Sequence, residues 1–492
     1  MREYVLELGE VLQRGLRPDE RVHTSQPSLT KCTGMKPHFT GLVRSTVPTC
    51  FDITLPAAAS YPYPQLFLGK KWTILAYRDA LYRVDSFSTV HAITLYDSIT
   101  LAEGSITPTG LWHFADFGES FLLMNGSDVI SFPRYDMMET ISKNRFSSAA
   151  DAVLDPYDLS AALITSSVSQ TTCDYFRGRA IMGPSDNMGN EVQYSSVGGT
   201  DRYVDYLSEE YLLNELRGDK GSMYLPAFGN LLRVMGLGTD KVGLGAVIAY
   251  CQNGVYALVP VLEPMPTFGL HAIAGAENVG ILDRDCVAGS DSQHVFISSE
   301  GELWRVTSQL TAELIGHKEQ ISPLVGNSPT MCFDTTEKEF HIHADNGDFV
   351  LTRYGLGEAI EKFSHCARYL GNLYAVWDAC DPEAGVTVPS MDVRIGPINF
   401  GRSAFKTVYG VDIDSYGITS LKVAVDYTAD ESQTYTSGSL VSVDDSGHVY
   451  ASTGGINFQI RITGTLSADA VISNIAVRWK GTDKRFLRSP TE

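Results

Sequence analysis

Short apolar runs, each closed by turn residues and answered by a second apolar run, recur along this chain. The clearest is His294-Val-Phe-Ile-Ser-Ser-Glu-Gly-Glu-Leu-Trp-Arg-Val-Thr307. Val295, Phe296 and Ile297 supply β-branched and aromatic residues, Leu303, Trp304 and Val306 return, and Ser299-Glu300-Gly301-Glu302 is the turn, with Gly301 free to take positive φ. The pattern predicts a β-hairpin. Apolar residues fall on both of its faces, which predicts strands lying between other sheets rather than open to water on one side.

Variants of this hairpin occur at 72–84, at 120–132 around Asn125-Gly126, at 246–258 around Asn253-Gly254, and at 339–351 around Asn346-Gly347. The Asn-Gly pairs are read as type I′ turns. Cys173 to Met182, Glu191 to Thr200 and Arg368 to Val376 read as further strands. The copies are unevenly spaced, often wider than the roughly 40–50 residues usual for propeller repeats. An irregular β-propeller with insertions fits the recurrence, and unrelated hairpins of a sandwich are the alternative. The best helix signal is Ser208 as N-cap, Glu209 and Glu210 in the first turn, apolar Leu212, Leu213 and Leu216, and Gly218 past the end. The fold class expected is therefore mainly β: an irregular β-propeller with an inserted partly helical segment, and a C-terminal antiparallel β domain. The expected divisions are an N-terminal arm and first strands over 1–60, the propeller over 61–380 with an insertion around 136–240, the β domain over 390–480, and a basic tail over 481–492. Within the first, Tyr4 to Leu12 reads as a short strand or helix, and Arg14 to Thr40 as an extended arm or loop.

Composition changes the picture in three ways. With 38 Lys and Arg against 58 Asp and Glu, the formal net charge is −20. That balance disfavours binding along nucleic-acid phosphates, which calls for clustered cations. Eight cysteines without a C-x-x-C pair read as buried free thiols of a protein folded in a reducing compartment, with a Cys32–Cys50 bridge as the alternative. No signal-peptide core and no apolar run of transmembrane length is apparent, so no membrane-spanning segment is expected.

Candidate chemistry is sparse. There is no G-x-S-x-G, no H-E-x-x-H and no phosphate-binding Gly-Lys-Ser/Thr loop. His341 and His343 share a strand face, as zinc ligands can, but a site needs at least three ligands and no third is assignable. Asp345, Asn346 and Asp348 surround a turn, and turn chemistry accounts for them without calcium. Ser298 to Trp304 is similar in part to the Asp-box turn of sialidase-type propellers, with Glu in place of Asp and a residue missing before Gly, and such boxes are structural. No catalytic, cofactor-binding or metal-binding residue is assigned, and neither enzyme activity nor a cofactor is expected.

The order of motifs carries more than any one of them. Tyr175-Phe-Arg-Gly-Arg179 is followed by Gln193-Tyr-Ser-Ser-Val-Gly-Gly199, by Val247 to Tyr256, and by Asp285-Cys-Val-Ala-Gly289 leading into Val295 to Ser299. Gln459-Ile-Arg-Ile-Thr463 and Ile475-Ala-Val-Arg478 close the chain. This run resembles the tail hub or nozzle proteins of short-tailed bacteriophages, also called packaged-DNA stabilisation proteins, over roughly residues 60–380. The resemblance implies a structural virion protein of the tail, assembled in the bacterial host cytoplasm. It implies a homohexameric ring below the portal and adaptor that continues the DNA channel, retains the packaged genome and attaches the tail tip or fibres. Double-stranded DNA would pass through the lumen without sequence-specific binding, and a net acidic lumen would keep it from adhering. A carbohydrate-active propeller, glycosidase or lyase, and a propeller interaction scaffold are the alternatives.

Overall fold

A computed structural model describes residues 3–16, 27–50, 64–85, 89–97, 102–118, 120–132, 159–166, 168, 170–184, 188–195, 221–238, 245–261, 268–360, 363, 365–369, 372–375, 389–401, 404–429 and 434–481. The chain is mainly β. It divides into two compact units, one of residues 48–346 and 363–382, the other of residues 1–47, 347–362 and 383–492. The expected helix around 208–217 and most of the insertion lie outside the described residues, as do the loop at 378–385 and the basic tail beyond Gly481. No described helix is long and apolar enough to cross a membrane.

The larger unit is a succession of small sheets. The first runs Gln65–Leu68, Thr73–Tyr77, Ala80–Asp85 and Thr89–Ala92, each antiparallel to the next. The second runs His113–Asp116, Phe121–Met124, Asp128–Phe132 and Ala161–Ser166, with Thr94–Asp97 added in parallel. The third is Thr172–Phe176, Arg179–Gly183, Glu191–Tyr194 and Gly221–Tyr224. The fourth is Leu231–Leu237, Ala246–Cys251, Val255–Pro260 and Phe268–Ala272. The fifth is Val287–Ser290, Gln293–Ile297, Leu303–Thr307 and Ala312–Gly316. Thr330–Asp334 pairs with Glu339–Ala344 to form a sixth group. In the seventh, Cys366–Tyr369 pairs with Asn372–Ala375, which takes Thr49–Cys50 in parallel.

The two-faced burial expected of these strands is present, and its cause is visible residue by residue. Successive side chains on a strand point to opposite faces. Ile74 and Ala76 of the first sheet pack with Phe121, Leu123 and Ile130 of the second, while Leu66, Leu75 and Val84 turn the other way, towards Ala367 and Tyr374 of the seventh group. Leu122 and Met124 of the second sheet meet Cys173, Ala180 and Met182 of the third. Ile181 faces the fourth sheet with Val247, Ala249 and Cys251. Tyr250 points onward to Phe296 of the fifth, with ring centroids 5.4 Å apart. Met331 donates its N–H to the Asp285 carbonyl at 2.9 Å, linking fifth and sixth. Cys332, Cys366 and Leu373 share one cluster, linking sixth and seventh. Alternation along each strand thus selects which neighbouring sheet is touched, not core against solvent.

The hairpin of 294–307 is formed as expected, with Ile297 opposite Leu303 and Gly301 at φ 74°. The Asn-Gly turns are corrected by one residue. Met124 pairs with Val129, and Asn125 bonds Asp128, so Gly126-Ser127 is the tip. Asn125 stays out of the left-handed region and instead caps the turn, its Oδ1 accepting the N–H groups of Ser127 at 3.0 Å and Asp128 at 2.7 Å. Cys251 bonds Gly254, leaving Gln252-Asn253 at the next tip. Strands end at Ala344 and resume at Gly347, which puts Asp345-Asn346 at the third. Two successive positive φ values, the mark of type I′, occur at Arg177-Gly178 (51° and 80°).

The second unit is built on two long strands. Lys406–Thr428 and Asn457–Gly481 pair antiparallel from end to end, bent by register shifts between Val408 and Gly410 and three further places up to Lys422. Phe458, Ile460 and Ile462 are buried while Gln459 and Arg461 between them reach solvent, the period-two pattern of a one-sided sheet. Ser390–Ile398 pairs with Asn457–Gly481, and Ser28–Thr33 with Ser390–Ile398. Tyr4–Glu7 and Gly41–Arg44 also pair with Asn457–Gly481. The N-terminal stretch is therefore not an arm: Leu29, Cys32, Met35 and Leu42 are core residues of this sheet. The polar composition of 27–40 concealed the strand Ser28–Thr33, whose partner Ser390–Ile398 lies far along the chain, and the strand Met35–His38, which pairs with the adjacent Gly41–Arg44. Tyr4 to Leu12 holds both a strand and the start of a short helix, Gly9–Arg14. Cys32 is a buried free thiol, so the alternative bridge to Cys50 is not formed; Cys173, Cys251, Cys286, Cys332 and Cys366 are buried and free as well.

Candidate functional site

The residues singled out from sequence do not converge. His341 and His343 sit on Glu339–Ala344, with the His341 ring 4.9 Å from that of Phe363. Asn346 donates through Nδ2 to the Pro323 carbonyl at 2.7 Å, a structural role. Among the described residues no group of three His, Cys, Asp or Glu is placed to hold a metal ion. Ser298 closes the 294–307 turn, its Oγ accepting the Glu302 N–H at 3.2 Å.

What the fold brings together is a different set. The leading strands of several sheets in the larger unit, or the residues just before them, line a cavity of about 240 Å³. Gln65 and Phe67 come from the first sheet, His113 and Phe114 from the second, and Arg233 from the fourth. Arg284, Asp285 and Val287 enter the fifth, Thr330 and Met331 belong to the sixth, and His365 precedes the seventh. Leu111 and Trp112 also line it.

Among the described residues that line it, Asp285 is the one carboxylate. Oδ1 lies 3.0 Å from His113 Nε2 and Oδ2 lies 3.6 Å from Arg284 Nε. Burial pushes this carboxyl up, but the hydrogen bond from His113 and the charges of Arg284 and Arg233 outweigh it and hold it below the usual carboxylate range. Burial, reinforced by Arg233, brings His113 down to about 3. The imidazole is thus neutral at pH 7, donating Nε2–H to Asp285, and its Nδ1 is buried without a partner. Arg284 is spent on the fold: it donates to the carbonyls of Thr171 at 3.3 Å and Leu111 at 3.2 Å. His365 is brought down to about 4 by burial, and its Nδ1 also lacks a partner.

Arg233 differs from Arg284. Burial lowers its pKa, while Asp174 and Asp285 act in the opposite sense. Its Nε–H is buried with no hydrogen-bond partner among the described residues. Asp174 is committed elsewhere, accepting the N–H groups of Gly236 at 2.6 Å and Tyr175 at 2.8 Å. Behind this layer, His294 bridges two sheets: Nε2 donates to the Gly236 carbonyl at 3.0 Å, which leaves Nδ1 to accept from the Tyr250 hydroxyl at 3.0 Å.

Sequence reasoning missed this cavity. Asp285 lay in a quoted motif without a role. A charge inside an apolar strand, as in Leu231-Leu-Arg-Val-Met235, or a histidine inside Leu111-Trp-His-Phe114, was the available signal. Nothing local tells that these residues meet.

No protein-family model and no curated protein sequence matches the chain. Among solved structures, the chain is similar to the extracellular domain of a one-component system from B. thetaiotaomicron, at 9% identity and a TM-score of 0.36, over 94% of this chain and 58% of that one. It is similar to apo AztD from Citrobacter koseri at 9% identity and a TM-score of 0.34, over 83% and 90% of the two chains. It is also similar to an exo-β-1,3-galactanase from Phanerochaete chrysosporium at 10% identity and a TM-score of 0.26, over 86% and 99%. Likenesses at this level identify neither a family nor an activity.

Proposed function

We propose that the larger unit is an irregular seven-bladed β-propeller, and that the chain is a structural virion protein, the tail nozzle or hub subunit of a short-tailed bacteriophage. The observation that carries the propeller is the order of packing. Each group of strands packs on the next along the chain, and the seventh packs on the first through Leu66, Leu75, Ala367 and Tyr374. Tyr175 to Arg179 is a hairpin tip, Val247 to Tyr256 is another, and Asp285 stands where the fifth sheet begins.

A scaffolding role is also supported by the chemistry of the cavity. Among the described residues that line it, the one carboxylate is tied to His113 and flanked by Arg284. In this reading the ring sits below portal and adaptor, carries the tail tip or fibres, and passes DNA through a net acidic lumen. The test is the mass of the purified protein, alone and mixed with its portal–adaptor complex. A particle of six 53.8 kDa chains, formed alone or on that complex, is expected. A chain that stays monomeric in both conditions refutes the nozzle reading.

A further inference from the structure

We propose that Cys332 and Cys366 form a redox latch, a disulfide-forming site that ties the seventh strand group of the larger unit to the sixth when the protein meets a small oxidant. Three observations meet there. First, the two sulfurs face each other at 3.1 Å, in a buried cluster with Phe363, Leu373 and Ala375. The other described free thiols are turned to backbone carbonyls instead. Cys32 is directed at Met35 at 3.2 Å, Cys173 at His113 at 3.3 Å, Cys286 at Pro329 at 3.2 Å and Cys251 at Ala249 at 4.0 Å. Cysteines that only fill apolar space need no thiol opposite them. Bonded sulfurs lie about 2.05 Å apart, so about 1 Å of approach closes this pair.

Second, the register of the two strands is fixed. Cys332 and Asp334 stand two apart on Thr330–Asp334, and Cys366 and Arg368 two apart on Cys366–Tyr369, so each pair shares a strand face. The fork of Arg368 on Asp334, at 2.7 and 2.6 Å, holds the strands where the thiols meet. Third, the place in the chain suits a latch. Between the two cysteines the chain leaves the larger unit for residues 347–362 and then returns. The seventh group has three described strands, one of them only Thr49–Cys50. A bond from Cys332 to Cys366 makes the excursion a covalently closed loop and pins this short group to its neighbour. The hydrogen bond with Cys332, and then burial, push the Cys366 thiol well above its ordinary range, so the pair stays reduced until local opening admits an oxidant. With hydrogen peroxide, one thiolate attacks the O–O bond to give a sulfenic acid and hydroxide. The second thiol attacks that sulfur and expels water, so two thiols and one peroxide give one disulfide and two waters.

The experiment uses the full-length protein, reduced and then freed of reductant. It is exposed to hydrogen peroxide, quenched with catalase, alkylated in urea and digested without reduction. The expected dominant product is a peptide joining Cys332 to Cys366, reversed by dithiothreitol, with Cys173, Cys251 and Cys286 still alkylated. Hydrogen exchange reads the latch itself. Amides of Cys366–Tyr369 and Asn372–Ala375 should exchange at least tenfold more slowly after oxidation, and those of Ala246–Cys251 in the fourth group should not change. Cys332→Ser should lose the bridge and leave Cys366 as a sulfenic acid that dimedone traps. Survival of both thiols, joining of either cysteine to a different partner, or unchanged exchange in the bridged protein would each overturn the proposal. The first two measurements use the unaltered chain and stand whether or not the variant folds. Neither depends on assembly into a ring, so failure here and failure of the nozzle reading are separable.

Discussion

Asp334 and Arg368 make the sharpest energetic test of the larger unit, because they join its sixth and seventh strand groups. Asp334 ends the strand Thr330–Asp334 and its side chain is 0% exposed; Arg368, on Cys366–Tyr369, is 14% exposed. The contact is a two-point fork, Nε to Oδ1 at 2.7 Å and Nη2 to Oδ2 at 2.6 Å. The Thr336 N–H adds a third bond to Oδ1 at 2.9 Å. Burial pushes the Asp334 carboxyl up, but Arg368 and the backbone donors outweigh it and hold it below its ordinary value. Removing one partner of a buried pair leaves the other charge uncompensated, which costs about 3–5 kcal/mol. Arg368→Met should sit near the lower end, about 3 kcal/mol, because the backbone N–H of Thr336 remains. Asp334→Asn combined with Arg368→Met should recover most of that loss, since no lone buried charge is left. The assay is urea unfolding followed by intrinsic tryptophan fluorescence, to which Trp72, Trp112 and Trp304 of this unit contribute. The pH dependence has a definite sign. A carboxyl depressed in the folded state contributes stability that is present above its unfolded value near 3.9 and lost as pH falls through the folded value. In Arg368→Met the same carboxyl is buried without its cation and protonates at higher pH, so the deficit shrinks on acidification. An unchanged urea midpoint in Arg368→Met at pH 7, or a deficit identical at pH 7 and pH 4, would refute the argument.

Two further outcomes follow from buried groups. His113, His294 and His365 are brought down to about 3, 4 and 4 by burial, so they stay neutral in the fold while their unfolded forms titrate near 6.5. Their contribution is complete above that pH and falls as pH drops towards about 4, by about 1.4 kcal/mol per unit per imidazole. His365→Leu should flatten the stability curve between pH 6 and 4.5 by one such increment, and an unaltered slope counts against the burial argument. Cys332 and Cys366 have their sulfurs 3.1 Å apart in the core between the sixth and seventh groups. Slow oxidation by an added small-molecule oxidant such as diamide, which takes up the two protons and two electrons, should join them, read as a cross-linked peptide by mass spectrometry, and closing the 34-residue separation should stabilise the unit by about 2–4 kcal/mol. Recovery of both thiols unmodified after prolonged oxidation would contradict the geometry.

The local elements were legible in the sequence because their causes are local. Apolar runs such as Val295-Phe-Ile297 and Ala246-Val-Ile-Ala249, bounded by turn residues, have no better state than paired strands, and a glycine such as Gly301 supplies the positive φ its turn needs. Burial on both faces was legible for the same reason. At the 120–132 hairpin the tip was misplaced by one because Asn125 uses its carboxamide to cap the turn instead of entering the left-handed region, a choice between two local roles that one residue type permits. Beyond this, tertiary structure decided. Leu29 and Cys32 became core residues only by pairing opposite Ile395 and Val393, and a polar stretch carries no mark of so distant a partner. Likewise His113, Arg233, Asp285 and His365 come from four strand groups spread along the chain, and each looks locally like a stray polar residue in an apolar run. Packing of successive sheets places them around one cavity, and it is burial there, not any motif, that brings the imidazoles of His113 and His365 down.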